Sequence, residues 1–141
     1  MSKKILTQED EENLCYLKRY RFTKTLKSLT KELSNERVVV YGDGSLFKLI
    51  LDNYDLSGLN IIGVADKKFE DCCCDKSMSG YRIIKINDIN SSNVDCILIS
   101  LKFYIPVLFN LYDKFNKSSI KVKPLVHKPL MTLIYELLWR K

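Results

Sequence analysis

Arg37-Val38-Val39-Val40-Tyr41-Gly42-Asp43-Gly44-Ser45-Leu46-Phe47 decides the architecture of this chain. The β-branched run 38–40 shows no polar alternation, which is the pattern of a strand buried on both faces of a parallel sheet. The glycines at 42 and 44 break it. From Ser45 to Asn53, apolar residues fall at 46, 47, 49, 50 and 51, a helical spacing. Asn60-Ile61-Ile62-Gly63-Val64-Ala65 is a second strand, ended by Asp66. A strand, a glycine turn, a helix and a strand within about 30 residues make a βαβ unit.

Towards the N-terminus, residues from about 7 to 34 read as one helix. Thr7 caps it, and the acids at 9 to 12 sit at the positive end of its dipole. Phe22, Leu26, Leu29 and Leu33 share one face, with Lys18, Arg19, Arg21, Lys24, Lys27 and Lys31 around the other. That basic face reads as solvated. Towards the C-terminus, residues 67–80 form a polar, cysteine-rich loop, and Tyr81 to Lys85 a short strand or extended segment. Residues 87–93 make a turn or short helix. Val94 to Ile99 is another buried strand, ending at Ser100. Phe103 to Phe115 is helical, with Pro106 tolerated in the first turn. Ser119 to Pro124 is an edge strand, because lysines alternate there and proline ends it. Leu130 to Trp139 is an apolar helix.

This order implies an α/β fold: a Rossmann-like three-layer arrangement with a mostly parallel sheet, an N-terminal helix and a C-terminal apolar helix. Residues 1–35 read as an N-terminal helical extension and 36–141 as a Rossmann-like nucleotide-binding domain. The length of 141 residues suits one core, and a hydrophobic fraction of 46% can fill it. The net charge of +6 favours anionic partners in general. It does not by itself indicate nucleic acid, and none is expected. No run approaches the ~18 apolar residues of a membrane span. No signal-peptide core follows Met1, so a cytoplasmic location is expected. Five cysteines, three of them consecutive at Cys72-Cys73-Cys74, make a poor disulfide framework and fit free thiols in a reducing compartment.

The glycine turn carries the functional expectation. Gly42 permits a tight strand-to-helix turn, and Gly44 lets an anion approach the backbone. The amides of Gly44, Ser45 and Leu46 then point at that anion, helped by the helix dipole. Ser45 adds a hydroxyl donor. Asp66 lies 24 residues after Gly42, where an acid accepts hydrogen bonds from a ribose. Two features depart from a dinucleotide pattern. The third glycine position is Phe47, whose bulk holds the helix off the sheet. Asp43 places a negative charge beside the anion, to be offset by Lys48, or by Lys67 and Lys68. Ser100, at the C-terminal end of a central strand, is a second candidate contact, or else a helix cap. The expected ligand contacts are thus Gly42, Asp43, Gly44, Ser45, Leu46, Asp66, Lys67 and Ser100. The competing reading is that both glycines serve the turn alone.

Other constellations carry little chemistry. Tyr81 and Lys85 have a Tyr-x-x-x-Lys spacing, but four residues on a strand span about 13 Å, against about 6 Å on a helix. Adjacent cysteines diverge, so Cys72 to Cys74 do not make a zinc site. His127, the single histidine, reads as a capping or surface residue. The last helix is apolar around most of its circumference. An interface with a second copy or a partner protein is expected there, unless the first helix covers it.

The pieces Val38 to Gly44, Ile61 to Asp66, Gly80 to Ile84 and Val94 to Ser100 resemble the small Rossmann-like domain of bacterial sugar-modifying proteins. That domain occurs at the N-terminus of NeuD/PglD-type sugar acyltransferases. It also precedes the catalytic part of nucleotide-sugar dehydratases and epimerases of polysaccharide synthesis. The resemblance covers about residues 36 to 125. It implies a nucleotide or nucleotide-sugar at Gly42, Gly44, Ser45 and Asp66, and a setting in surface-glycan assembly. After residue 125 a single helix is expected, and no counterpart of the catalytic part of those proteins is expected with it. The expectation is therefore a non-catalytic module that binds NAD(P) or a nucleotide-sugar, without a metal. The alternatives are a subunit or fragment of an NAD(P)-dependent nucleotide-sugar oxidoreductase or epimerase, and an interaction protein with a vestigial pocket.

Overall fold

The computed structural model describes residues 5–71 and 79–139, so the expected loop thiols Cys72 to Cys74 lie outside the described residues. In chain order the elements are α1 (Gln8–Arg19), α2 (Phe22–Glu32), β1 (Arg37–Tyr41), α3 (Ser45–Asn53), β2 (Asn60–Ala65), β3 (Cys96–Ile99), α4 (Ile105–Phe115), β4 (Lys121–Pro124) and α5 (Leu130–Trp139). The four strands form one sheet in the order β2-β1-β3-β4, and every pairing is parallel.

Side chains alternate across the sheet, so the apolar run of β1 feeds two cores. Val38 and Val40 join Leu17, Phe22, Leu26, Leu29, Leu33, Phe47 and Ile50 on the side of α1, α2 and α3. Val39 joins Ile97, Ile99, Tyr104, Leu111 and Phe115 on the side of α4. A sheet sandwiched between two helical layers is the expected Rossmann-like three-layer fold.

The expected N-terminal helix is two helices. Thr7 caps α1 as expected: its hydroxyl accepts the Asp10 N–H at 3.1 Å, and the Asp10 carboxylate accepts the Thr7 N–H at 3.2 Å. The chain then bends at Arg21, a non-glycine residue in the left-handed region at φ 50°. Burial explains the break. Leu17 and Phe22 are both buried, and on one straight helix they would point about 140° apart. The bend turns both into the same core.

The segment after Gly80 adds one parallel bridge, Val64 to Ile83, beyond β2 rather than a full strand. Gly63 makes room for it. A Cβ at Gly63 would fall 2.5 Å from Ile84 Cδ1 and 2.9 Å from the Arg82 carbonyl oxygen. Pro106 sits in the first turn of α4 as expected. No helix among the described residues is long and apolar enough to cross a membrane. No α5 residue is buried, and Leu130, Met131, Tyr135, Leu138 and Trp139 are largely exposed.

Cys96 in β3 is fully buried, and burial pushes its thiol up to about 12 from an ordinary value of 9.0. The unfolded thiol loses its proton near pH 9, whereas the folded one keeps it. Alkaline pH therefore favours unfolding. The contribution is whole below pH 9 and is lost through pH 12, at about 1.4 kcal/mol per pH unit. Iodoacetamide at pH 8 should label exposed Cys15 and spare Cys96 when peptides are read by mass spectrometry. Labelling of Cys96 at the rate of Cys15 in the native protein would contradict this packing.

Candidate functional site

Gly42 leaves β1 with φ 111°, a conformation open to glycine and strained for other residues. Its N–H donates to the Ala65 carbonyl at 2.8 Å, which ties the turn to the end of β2. A Cβ here would lie 3.0 Å from Ser100 Oγ and 3.2 Å from Leu101 Cδ2. The turn thus runs in contact with the end of β3. Buried Ser100 donates its hydroxyl to the Gly42 carbonyl at 2.6 Å. It is not a helix cap, because α4 begins only at Ile105.

Asp66 holds the turn from the other side. One carboxylate oxygen accepts the Asp43 N–H at 2.7 Å and the other accepts the Lys68 N–H at 3.1 Å. Each oxygen keeps a lone pair for a further donor. Lys68 supplies the counter-charge for Asp43: its Nζ lies 3.4 Å from Asp43 Oδ2 and also donates to the Asp43 carbonyl. Lys67 is exposed beside it. The turn is therefore closed by strand ends, a serine, an aspartate and a lysine.

Gly44 precedes α3 in extended backbone, and no side chain caps that helix. The first-turn amides, including those of Ser45 and Leu46, also lack partners within the helix. A Cβ at Gly44 would meet nothing within 4 Å. Two cavities flank the turn. One of about 410 Å³ is lined by Asp43, Gly44, Ser45 and Lys48 among others. The second, of about 250 Å³, is lined by Glu9, Asn13, Gly44, Ser45, Ser100 and Lys102 among others. Phe47 does not plug either. It is fully buried and packs against Tyr81, with ring centroids 6.2 Å apart.

Sequence reasoning missed what α1 brings to this turn. The Ser45 hydroxyl is not free: it donates to Glu9 Oε1 at 2.6 Å. Asn13 Nδ2 donates to Ser45 Oγ at 3.4 Å. Asn13 is fully buried, yet its Oδ1 has no hydrogen-bond partner. An orphaned buried acceptor costs about 1–3 kcal/mol. Glu9 and Asn13 are four residues apart and so share one helix face. That spacing was legible; the contact across more than 30 residues to Ser45 was not.

The arrangement presents hydrogen-bond donors and acceptors around the turn. Uncapped amides suit an anion or a carbonyl oxygen. Glu9, Asn13 Oδ1 and Asp66 accept from hydroxyl or amine donors. Tyr81 and Lys85 lie around an extended bridge at Ile83, so they make no catalytic pair. Among the described residues no three metal-ligating side chains converge.

The stretch from just before β1 to the last residue of α4, residues 34–115, matches the family model "C2185-like, N-terminal". The chain belongs to this family. The C2185-like match includes Gly42 to Leu46, Asp66, Lys67 and Ser100, and leaves Glu9 and Asn13 outside it. No curated protein matches the chain.

Proposed function

We propose that the protein is a binding module for a nucleotide or nucleotide-sugar, held where β1 turns into α3, with no catalytic group of its own. One observation carries this reading: an uncapped helix N-terminus opens onto space at Gly44, beside a fully buried amide oxygen that lacks a donor. A phosphate suits the amides. The hydroxyls of a ribose or a sugar suit Asn13 Oδ1, Glu9 and the remaining lone pairs of Asp66. Lys48, Lys68 and Lys102 supply positive charge around the turn. A setting in surface-glycan assembly is what the sequence resemblance to sugar-modifying proteins implies for such a ligand.

A thermal-shift series with NAD, CoA, UDP-glucose and AMP tests the reading. At least one should raise the melting temperature, by about 2.7 kcal/mol of added stability at 100 times its dissociation constant. Gly44→Val should erase that shift. Its backbone suits any residue and its Cβ enters open space, so the variant should lose no more than about 1 kcal/mol as a poorer helix cap. No shift with any ligand, together with a dimer on a sizing column, would favour an interaction protein working through the exposed apolar side of α5.

A further inference from the structure

A second concave surface lies at the bend between α1 and α2, away from the glycine turn. It is a groove of about 800 Å³, walled by α2 on one side and by the end of β4 and residues 127–129 on the other. Lys24, Thr25 and Ser28 line it from one face of α2, Ser28 following the other two by four and three residues, and Arg21 lines it from the bend just before that helix. Arg19 closes one end, its guanidinium 5.6 Å from the centroid of the Tyr20 ring. Lys123 and His127 line the opposite wall.

The charge is one-sided. Glu32 is the one carboxylate lining the groove, and Lys123 already binds it, holding its carboxyl below the ordinary range. Arg19, Arg21 and Lys24 make no ion pair with any described residue. Three uncompensated cations beside two hydroxyls form an anion-binding wall, while Tyr20, Leu29, Pro124 and Pro129 give the same groove an apolar floor. Its volume falls in the range of small-molecule sites, roughly 300–1,000 Å³. A concave groove with an apolar floor also differs from the extended basic surface that tracks a nucleic-acid backbone. The bend at Arg21 creates the groove, since a straight helix from 7 to 34 would have no such corner.

We propose that this groove binds a small phosphorylated molecule, with the phosphate against Arg21 and Lys24 and an apolar or aromatic part on Tyr20, Leu29 and Pro124. The site is separate from the one at Gly44.

Titration of the full chain with inorganic phosphate, pyrophosphate and 4-nitrophenyl phosphate, followed by backbone amide NMR, tests this. Shifts should cluster at residues 19–28 and 123–129. 4-Nitrophenyl phosphate should bind more tightly than inorganic phosphate, because it adds the ring. The double variant Arg21→Gly/Lys24→Gln should weaken pyrophosphate binding at least tenfold. Glycine keeps the left-handed backbone at position 21, so the fold is not disturbed. Gly44→Val should leave the shifts at residues 19–28 and 123–129, and the midpoint of their titration, unchanged, whatever it does to shifts at residues 42–48. Equal affinity in wild type and the double variant would overturn the proposal. So would shifts confined to residues 42–48, a result that would leave the glycine-turn reading standing. Binding confined to an RNA oligonucleotide or to anionic vesicles would also overturn it.

Discussion

Gly42→Val is expected to destabilise the protein by roughly 2–6 kcal/mol and to abolish any ligand-induced shift. Two effects add. A β-branched residue at φ 111° is forced into a region that costs about 1–3 kcal/mol. Its Cβ would also press on Ser100 and Leu101 at 3.0 to 3.2 Å, overpacking worth about 1–3 kcal/mol. Ser100 cannot yield cheaply, because its hydroxyl holds the Gly42 carbonyl. For a domain whose whole stability is about 5–15 kcal/mol, this is a large fraction. Urea denaturation reads it directly, with Gly44→Val as the neighbouring control. A loss within 1 kcal/mol of that control would mean that the turn is not packed against β3 as described.

The contrast between these two glycines shows what the sequence could tell. The sequence assigns Gly42 to the tight turn and Gly44 to an open approach, and in the fold Gly42 is fixed by conformation and packing, whereas Gly44 is free of both. The strands were legible because their signal is local. Val38 to Val40 and Ile97 to Ile99 are continuous apolar runs, and a parallel central strand needs nothing else. The lysines of β4 marked an edge correctly, and they reach Glu36 and Glu32. The helix break at Arg21 was not legible, because arginine carries no intrinsic left-handed preference. It is imposed by the need to bury Leu17 and Phe22 together.

The site was legible only in its local half. Asp66 and Ser100 sit at strand ends where the fold places ligand contacts, and both reach the turn. Their own hydrogen bonds show that they also build it. Glu9 and Asn13 were invisible as site residues, because only the packing of α1 on α3 brings them to Ser45. Lys128 is the same kind of case. In the sequence it stands between His127 and Pro129 as an ordinary polar residue. In the fold it is the most deeply buried charge in the described chain.

Glu136→Leu is expected to cost about 3–5 kcal/mol, the range for breaking a buried ion pair by removing one partner. The Lys128 side chain is 1% exposed, and its Nζ lies 2.6 Å from Glu136 Oε1. It also donates to the Lys102 carbonyl. The rings of Phe103, Tyr16 and Tyr104 surround it at 4.9, 5.3 and 5.6 Å. Burial above all, then Tyr104, Tyr20 and Glu136, push the Tyr16 phenol up, so that ring stays neutral beside the cation. Without Glu136 the ammonium keeps dipoles and ring faces but no counter-charge. Loosening of α5 would let water reach it, since Leu133 is the α5 residue packed on the second core. The loss should therefore appear first as faster hydrogen exchange in α5. Lys128→Met should cost less, about 1.5 kcal/mol or below, because methionine fills the space and Glu136 already touches solvent. The double variant Lys128→Met/Glu136→Leu should recover most of the stability lost in Glu136→Leu, a positive coupling in a double-mutant cycle. If Lys128→Met proves the more damaging single change, the cage rather than the ion pair holds α5 in place.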